Sequence, residues 1–356
     1  MINYLVYLHS IWLSQRNLCK IFEKQNDYKA FYESLSFDTL SKYIDNRELI
    51  EKILQAQKKL DTKKIDEKIE KLSLQIIPKY HKYYPKLLKN ISAPPYFLYV
   101  RGKLQAEDNF FSIVGSRKMS PYAKKAWESI IPDLTEYFTI VSGWAGWCDS
   151  LAHQICVEKN AKTIVVFGTW IDVIYPSGNK ALFEKVIENS GALLSIFPLG
   201  TLWNIYTFPM RNEIVAGMSS WVLVLEAWEK SWTLITAKLA LDQGKNIFCV
   251  PGDIFVENYI GAHTLIQNSE AKLIKNTQDI LEDYGYQIGT QSKQIHFENQ
   301  IQQDIYTLLK YNISLGIDDL IEKSQYEYWP LSYHLSLMEL QNLIKKDLFW
   351  KYQILY

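Results

Sequence analysis

The chain has 356 residues, enough for two or three domains, and 48% of them are hydrophobic, which excludes global disorder and allows a sizeable core. Its 39 basic and 39 acidic residues cancel, so any nucleic-acid contact must come from a local patch. The four cysteines show no C-x-x-C spacing, which favours reduced, mostly buried thiols over zinc ligands or disulfides.

The N-terminal run MINYLVYLHSIWLSQRN has no basic n-region and no A-x-A site, and no apolar stretch reaches the ~18 residues of a membrane span. We therefore expect a soluble, cytoplasmic protein without membrane contacts, metal or cofactor.

Residues 1–75 show i, i+3, i+4 apolar spacing, as in RNLCKIFEKQ, and this predicts a helical N-terminal domain. The proline-punctuated stretch 76–104 ends in the strand-like YFLYV and joins that domain to the next.

Strand and helix patterns alternate from Phe111 to about Gly285, within a predicted second domain of residues 76–288. The predicted strands are short and apolar on both faces, as in a sheet covered by helices on both sides. They are FSIVG, FTIVSG, KTIVVFG, ALLSIF, WVLVLEA, NIFCVPG and AKLI. The pattern predicts an α/β fold with a doubly wound, mostly parallel sheet, in which ligands bind beyond the carboxyl ends of the strands.

The third predicted domain, residues 289–356, begins in the polar linker GTQSKQ. It contains three helical patterns and a terminal hairpin pattern, an order typical of a small winged helix. The segments are IQQDIYTLLKYN, GIDDLIEKS, LSYHLSLMELQNLIKK and DLFWKYQILY. Winged helices bind DNA or serve as protein–protein contacts, and nothing basic in this one favours DNA.

The loops after the predicted strands contain residues suited to phosphate. In VGSRKMSPY, Gly115 ends a strand, Ser116 offers a hydroxyl and Arg117 offers a planar guanidinium beside helix-start amides. Of only five arginines, Arg117 and Arg211 both fall in such loops, which indicates that bidentate geometry matters there. The alternative is an arginine that pairs with a carboxylate at a domain edge.

Three titratable side chains near strand ends raise the question of catalysis. Asp149 and His153 are four residues apart at a helix start, but no G-x-S-x-G elbow accompanies them, so we interpret them as capping and packing residues. Glu226 stands at the end of a buried strand. Two roles fit it equally well, a functional carboxylate and a hydrogen bond to a helix terminus.

In this order and spacing, the loop segments resemble the DNA-processing protein A family (DprA, also called Smf), strongly from about residue 76 to about 285. They are IVGSRKMSPYAKKA, IVSGWAGWCDSLAH, DVIYPSGNKALFEKV, FPMRNEIVAGMSS, VLVLEAWEKSWTLITAKLAL and VPGDI. The resemblance implies an extended Rossmann-like fold with a helical leader and a winged-helix end. It also implies a non-enzymatic protein that binds single-stranded DNA, forms a homodimer and helps to load the recombinase RecA during natural transformation.

The resemblance implies which positions of this chain bind DNA. Cationic side chains there are expected to bind phosphates, with help from backbone amides of the loops. The predicted set is Gly115, Ser116, Arg117, Lys118, Gly143, Trp144, Ala145, Lys180, Phe208, Arg211, Asn212, Ser231 and Thr233. Two departures reduce the positive charge, because the family often has arginine where Gly146 and Glu213 stand. A rival from another class is an enzyme that hydrolyses nucleoside monophosphates on a related fold, but its P-G-G-x-G-T-x-x-E run is missing here.

Tryptophan is abundant, with 11 residues, and glycine is scarce, with 15. The tryptophans that stand at turn positions where the family has glycine are Trp12, Trp144, Trp147, Trp170, Trp228, Trp232 and Trp350. In a glycine-type backbone region each would cost about 1–3 kcal/mol. We hypothesise that most of the eleven are glycine in the cell, encoded by UGA codons that certain bacterial lineages read as glycine; UGG codons in the gene would refute this. The chain as printed is then expected to bind DNA weakly. The alternative is that one or two loop tryptophans stack on bases.

Overall fold

The computed structural model describes residues 2–23, 27–106, 108–173, 175, 180–286, 297, 299–312, 314–341, 343–347 and 350–354. The described residues form two compact units, 1–284 and 285–356. The division into three domains at residues 75 and 288 stays a prediction. The predicted linker GTQSKQ lies outside the described residues.

The chain begins with six helices, as the apolar spacing predicts. They are α1 (Asn3–Ser10), α2 (Gln15–Ile21), α3 (Tyr28–Glu33), α4 (Phe37–Ser41), α5 (Arg47–Lys59) and α6 (Thr62–Lys71). Five of them start at a side chain that accepts a hydrogen bond from an amide three residues later, which satisfies a backbone donor of the first turn. These caps are Ser14, Asp27, Ser36, Asn46 and Asp61.

The N-terminal helices pack against one face of the sheet and share a hydrophobic core with it. Buried His9 meets the hydroxyl of Tyr99 at 2.9 Å. The side-chain amide of Gln15 donates to the carbonyls of Phe97 (3.2 Å) and Ile196 (3.3 Å), and its oxygen accepts from the Phe97 amide (3.2 Å). These bonds attach the helices to two neighbouring strands.

The remaining elements of residues 75–284 alternate as predicted. The strands are β1 (Gln75–Pro78), β2 (Phe97–Gly102), β3 (Phe110–Val114), β4 (Thr139–Ser142), β5 (Thr163–Val166), β6 (Ala192–Ser195), β7 (Trp221–Val224), β8 (Asn246–Cys249) and β9 (Lys272–Leu273). The helices are α7 (Pro121–Leu134), α8 (Trp147–Glu158), α9 (Lys180–Glu188), α10 (Thr207–Met218), α11 (Trp232–Asp242), α12 (Ile260–Gln267) and α13 (Thr277–Asp283), with short 3-10 helices at Leu87–Asn90 and Glu257–Tyr259.

The nine strands form one mixed sheet in the order β1-β2-β6-β5-β4-β3-β7-β8-β9. Strands β3 to β9 run parallel, while β2 is antiparallel to both β1 and β6. This confirms the predicted α/β, doubly wound and mostly parallel fold. Strand β1 was missed, because Pro78 interrupts its short pattern. The strand order reverses between β3 and β7, and such a switch point opens a crevice for ligands.

The unit of residues 285–356 contains α14 (Gln300–Tyr311), α15 (Ile317–Ser324) and α16 (Tyr328–Leu340), followed by the antiparallel pair β10 (Ile344–Lys346) and β11 (Tyr352–Ile354). Three helices and a hairpin are the order predicted for a winged helix. The third helical pattern was extended too far, because Ile344–Lys346 is a strand. Ile344 is buried and the two lysines after it are exposed, so the apolar side chain that looked helical fills the core beneath the hairpin.

Three of the four cysteines are buried and Cys19 is half-buried, and all four are free thiols, as predicted. Burial raises the pKa of the Cys156 and Cys249 thiols to about 12. These thiols are therefore protonated and unreactive at neutral pH. Within the described part of the chain, no helix combines the length and the apolar character needed to cross a bilayer.

Backbone angles separate the tryptophans into two groups. Trp12 (φ 75°) and Trp350 (φ 62°) adopt the left-handed conformation that favours glycine, and both side chains are exposed. Trp12 follows the end of α1, where the Leu13 amide reaches back to the Leu8 carbonyl (3.4 Å), a helix ending that usually has glycine at this position. The other five tryptophans at turn positions have no positive φ, so the predicted backbone strain is wrong for them; they are Trp144, Trp147, Trp170, Trp228 and Trp232.

Replacing Trp12 by glycine is expected to raise the free energy of unfolding by about 1 kcal/mol, since glycine adopts this backbone without strain. Replacing Trp127 by glycine is the matched control. Its ring is fully buried and its Nε1 donates to the Cys148 carbonyl at 3.0 Å, so we expect a loss of about 3–5 kcal/mol. Urea denaturation followed by circular dichroism measures both free energies of unfolding. A destabilised Trp12→Gly variant would contradict the strained, glycine-type backbone at residue 12.

Candidate functional site

A cavity of about 540 Å³ opens at the carboxyl ends of the parallel strands, beside the point where the strand order reverses. The segments after β3, β4, β7 and β8 line it, together with the starts of α8 and α11 and one side of α10. Four basic side chains and two acidic ones face it, namely Arg117, Lys118, Arg211, Lys230, Asp149 and Glu257. A basic excess in a concave site of a neutral chain indicates an anionic ligand.

Arg211, the fifth residue of α10, is only 2% exposed. Its Nη1 donates to the Val166 carbonyl at 3.1 Å, and its Nε has no hydrogen-bond partner among the described residues. Burial lowers the pKa of this guanidinium, and the nearby Asp149 carboxylate opposes that shift. The guanidinium packs on Gly143, where any Cβ would lie 1.5 Å from Nη1, so glycine is required here to make room.

Two arginines contact the ring of Phe208. The guanidinium carbons of Arg117 and Arg211 are each 5.3 Å from the centre of its ring, within the range of a cation–π contact. Phe208 and Arg211 are buried, whereas Arg117 is exposed. The ring therefore links a fixed internal cation to one that is accessible from solution.

The loop after β3 rests on the loop after β4. The Trp147 amide donates to the Arg117 carbonyl at 3.4 Å. A Cβ on Gly146 would lie 2.7 Å from the Cα of Arg117, so the two chains approach each other too closely for a side chain. The missing side chain at this position, where the related family often has arginine, thus permits a close backbone contact.

Helix N-termini add partial positive charge to the cavity. The starts of α8 and α11 face it, whereas α10 presents one side of the helix. Gly146 before α8 provides no side-chain cap. Ser231 caps α11 through the Leu234 amide at 3.4 Å. Uncapped amides at a helix start are suited to bind an anion, because the macrodipole favours negative charge there.

The structure brings eleven of the thirteen predicted site residues together in this one cavity. They are Gly115, Ser116, Arg117, Lys118, Gly143, Ala145, Phe208, Arg211, Asn212, Ser231 and Thr233. Lys180, exposed at the start of α9, is not among the lining residues. Trp144 is also outside the lining, because its ring is buried and packs on Phe183 with the ring centres 4.6 Å apart.

The titratable residues near the strand ends make structural hydrogen bonds. Asp149 accepts from the Ala145 amide (2.9 Å), just before α8, and burial raises the pKa of its carboxyl although Arg211 opposes this. His153 contacts the Thr163 hydroxyl (2.8 Å) and the Gly143 carbonyl (3.0 Å), and burial lowers its pKa to about 4, so its ring is neutral at pH 7. The interpretation of both as capping and packing residues is confirmed.

Glu226 is fully buried, and its Oε2 accepts from the backbone amide of Ser120 (3.2 Å), the capping residue of α7. The hydrogen bond to a helix terminus is therefore present. It places the carboxylate at the helix that follows the Arg117 loop. Glu226 is not among the residues that line the cavity.

Several lining residues were missed by the sequence analysis. Lys230 stands in the quoted segment EAWEKSW and could have been found as a cation in a loop after a strand. Trp228 and Trp232 were set aside as glycine positions, yet both rings reach the cavity. Glu257 and Asn258 come from the loop after β8, and no sequence signal marked them.

The model of the family described as DNA recombination-mediator protein A matches residues 75–285, more than half of the chain. Protein Smf of Escherichia coli strain K12 is 34% identical over 242 residues, which are 67% of this chain and 64% of that protein, slightly less than two thirds of its length.

Two solved structures show the same fold. DNA processing protein A from Streptococcus pneumoniae has a TM-score of 0.69 and 30% identity, over 79% of this chain and 97% of that one. DNA processing protein A from Helicobacter pylori, described with a unique mode of single-stranded DNA binding, has a TM-score of 0.53 over 60% of this chain and 96% of that one, and at 24% identity it supports the fold alone. On the family match, this chain belongs to the DNA recombination-mediator protein A family.

Proposed function

We propose that this protein binds single-stranded DNA in the cytoplasm, without catalysis, at the cavity of Arg117 and Arg211. The observation that carries the proposal is the convergence of four basic side chains and the starts of two helices, α8 and α11, on one cavity at the strand ends. Membership of the family supports it, and the Helicobacter pylori relative is described as a single-stranded DNA binder.

The shape and lining of the cavity favour an unpaired strand. Phosphates of a single strand can reach the recessed amides and cations, whereas a duplex keeps its bases stacked inside a wide, stiff helix. Exposed rings at the mouth, Trp228 (46%) and Trp232 (37%), offer faces for bases where the gene encodes tryptophan. Arg117 is the accessible cation in the proposed binding step, and buried Arg211 provides a fixed charge behind it.

We propose that the protein has no catalytic activity because its two candidate carboxylates, Asp149 and Glu226, make structural hydrogen bonds. Asp149 makes a structural hydrogen bond at the start of α8 and Glu226 makes one at the start of α7, and Glu226 does not line the cavity. The rival function is hydrolysis of nucleoside monophosphates. Release of a base from such a nucleotide by the purified protein would contradict our proposal.

Arg117→Ala is expected to weaken binding of an oligothymidylate about 10-fold, because one charge-assisted phosphate contact is lost. The slope of log affinity against log salt should fall by about 0.7, the value for one phosphate contact on a single strand. Fluorescence anisotropy over a salt series, on the protein as its gene encodes it, measures both. Arg47→Ala, an exposed arginine on α5 outside the cavity lining, is the control and should bind like the parent. Equal affinity for single strands and duplex would contradict the proposal.

We also propose that the protein is a homodimer. The segment after β8 exposes a run of apolar side chains, Ile254 (75%), Phe255 (89%), Val256 (38%) and Ile260 (40%), next to Glu257 and Asn258 of the cavity. Exposed apolar surface of this kind is typical of an interface.

Phe255→Glu is expected to convert a dimer into a monomer, because it places a charge in the proposed apolar contact. Size-exclusion chromatography with light scattering measures the mass. Phe37→Glu, at an exposed phenylalanine of α4, is the matched control and should stay dimeric. A parent protein that is monomeric at all accessible concentrations would refute the proposed dimer.

The last part of the proposal is a role in loading RecA onto incoming strands during natural transformation, supported by membership of the family. We expect the protein to shorten the lag of RecA filament assembly on single strands, measured by strand-dependent ATP hydrolysis. Arg117→Ala should lose this effect at limiting DNA. An unchanged lag with the parent protein would rule out loading.

A further inference from the structure

A second cleft, of about 580 Å³, lies between the end of α2 and the residues that flank β1 and β2. Its lining is Cys19, Lys20, Phe22, Glu23, Lys79, Tyr80, Lys89 and Tyr96. None of these residues lines the Arg117 cavity. We refer to it as the Lys79 cleft.

The Lys79 cleft is basic although the chain as a whole is neutral. Three lysines and one glutamate line it, and from Lys71 to Ala106 the sequence contains seven basic residues and no acidic one. Lys79 and Lys89 are half-buried, and neither forms an ion pair with any residue that the structure describes. The lining carries an excess of positive charge and these two lysines have no ion-pair partner among the described residues, so the arrangement favours an anionic ligand.

Aromatic side chains stand among these lysines. The hydroxyl of Tyr80 meets that of Tyr28 at 2.7 Å, and Tyr28 in turn meets Tyr96 at 3.1 Å. Phe22 stacks on Tyr96 with the ring centres 5.9 Å apart. Tyr80 nevertheless stays 55% exposed. A ring that is held at its hydroxyl and open along its body is a preformed surface for stacking, with little entropy left to lose.

We propose that the Lys79 cleft is a second binding site for single-stranded nucleic acid, in which Lys20, Lys79 and Lys89 bind backbone phosphates and Tyr80 stacks on a base. Phosphate-binding cations combined with exposed aromatic rings are how proteins bind unpaired strands without sequence preference. An acidic polypeptide would match the lysines but would leave the Tyr80 ring without a partner. The site goes beyond the function proposed above, because it shares no residue with the Arg117 cavity.

Two variants separate the charge from the ring. The double variant Lys79→Glu/Lys89→Glu should weaken oligothymidylate binding about 10-fold and lower the salt slope by about 1.4, as expected for two phosphate contacts. Tyr80→Ala should weaken binding about 10-fold and leave the salt slope unchanged, since stacking releases no counterions. Lys58→Glu/Lys71→Glu, on α5 and α6, carries the same charge change outside the cleft and is the control. Thermal unfolding checks that each variant is folded.

Performing these titrations in the Arg117→Ala background distinguishes the two sites. If only the Lys79 cleft binds DNA, the cleft variants weaken binding in this background and Arg117→Ala alone has no effect. If only the Arg117 cavity binds DNA, Arg117→Ala weakens binding and the cleft variants have no further effect. Losses no larger than those of the Lys58→Glu/Lys71→Glu control would overturn the proposal, because they would reflect general electrostatics.

Cys19 provides an independent probe inside the cleft. It is half-buried, whereas the other three cysteines are buried, so N-ethylmaleimide should modify it first. We expect an oligothymidylate to slow this modification at least fivefold, and Lys79→Glu/Lys89→Glu to abolish the protection. Protection by polyglutamate or by duplex DNA equal to that by the single strand would overturn the proposal, as would modification at an unchanged rate.

Discussion

Burial of one cation, the Arg211 guanidinium, determines the geometry at the carboxyl edge of the sheet. Removing a charge from water is costly unless its protons are bonded and opposite charge is near. Here the Val166 carbonyl, the Phe208 ring and the Asp149 carboxylate surround the guanidinium, and Gly143 leaves the space it occupies. The loop after β4, the end of β5 and the N-terminal half of α10 are thereby held in a single arrangement.

The buried Arg211 guanidinium contributes positive charge to the cavity from a fixed position. Because Arg211 is already desolvated and positioned, its field acts on an incoming phosphate without any reorganisation of the side chain. Its guanidinium and that of Arg117 lie against the same Phe208 ring. Both like charges are thus stabilised by the electron-rich face of one ring, and the edge of the sheet stays positive in a chain of zero net charge.

The sequence predicted the sheet well because its strands are short apolar runs, and each of the seven predicted runs contains a strand. The loops after those strands came together because parallel strands place their carboxyl ends at one edge, so Arg117 and Arg211 meet although 94 residues separate them. Burial was not predictable: the pattern that placed Trp144 in the same loop could not show that its ring packs inward on Phe183. The backbone angles of Trp147, Trp170 and Trp228 likewise depend on how the loops pack.

The two edge strands of the sheet, β1 and β9, offer few free backbone groups, and this limits how copies of the protein can associate. Strand β1 ends in Pro78, which has no N–H to offer, and β9 has only two residues, with Lys272 tied to Asp283. A further strand would find few backbone groups to pair with at either margin. Growth of the sheet from molecule to molecule, the route to fibres, is therefore disfavoured, and concentrated protein has to associate through its side chains.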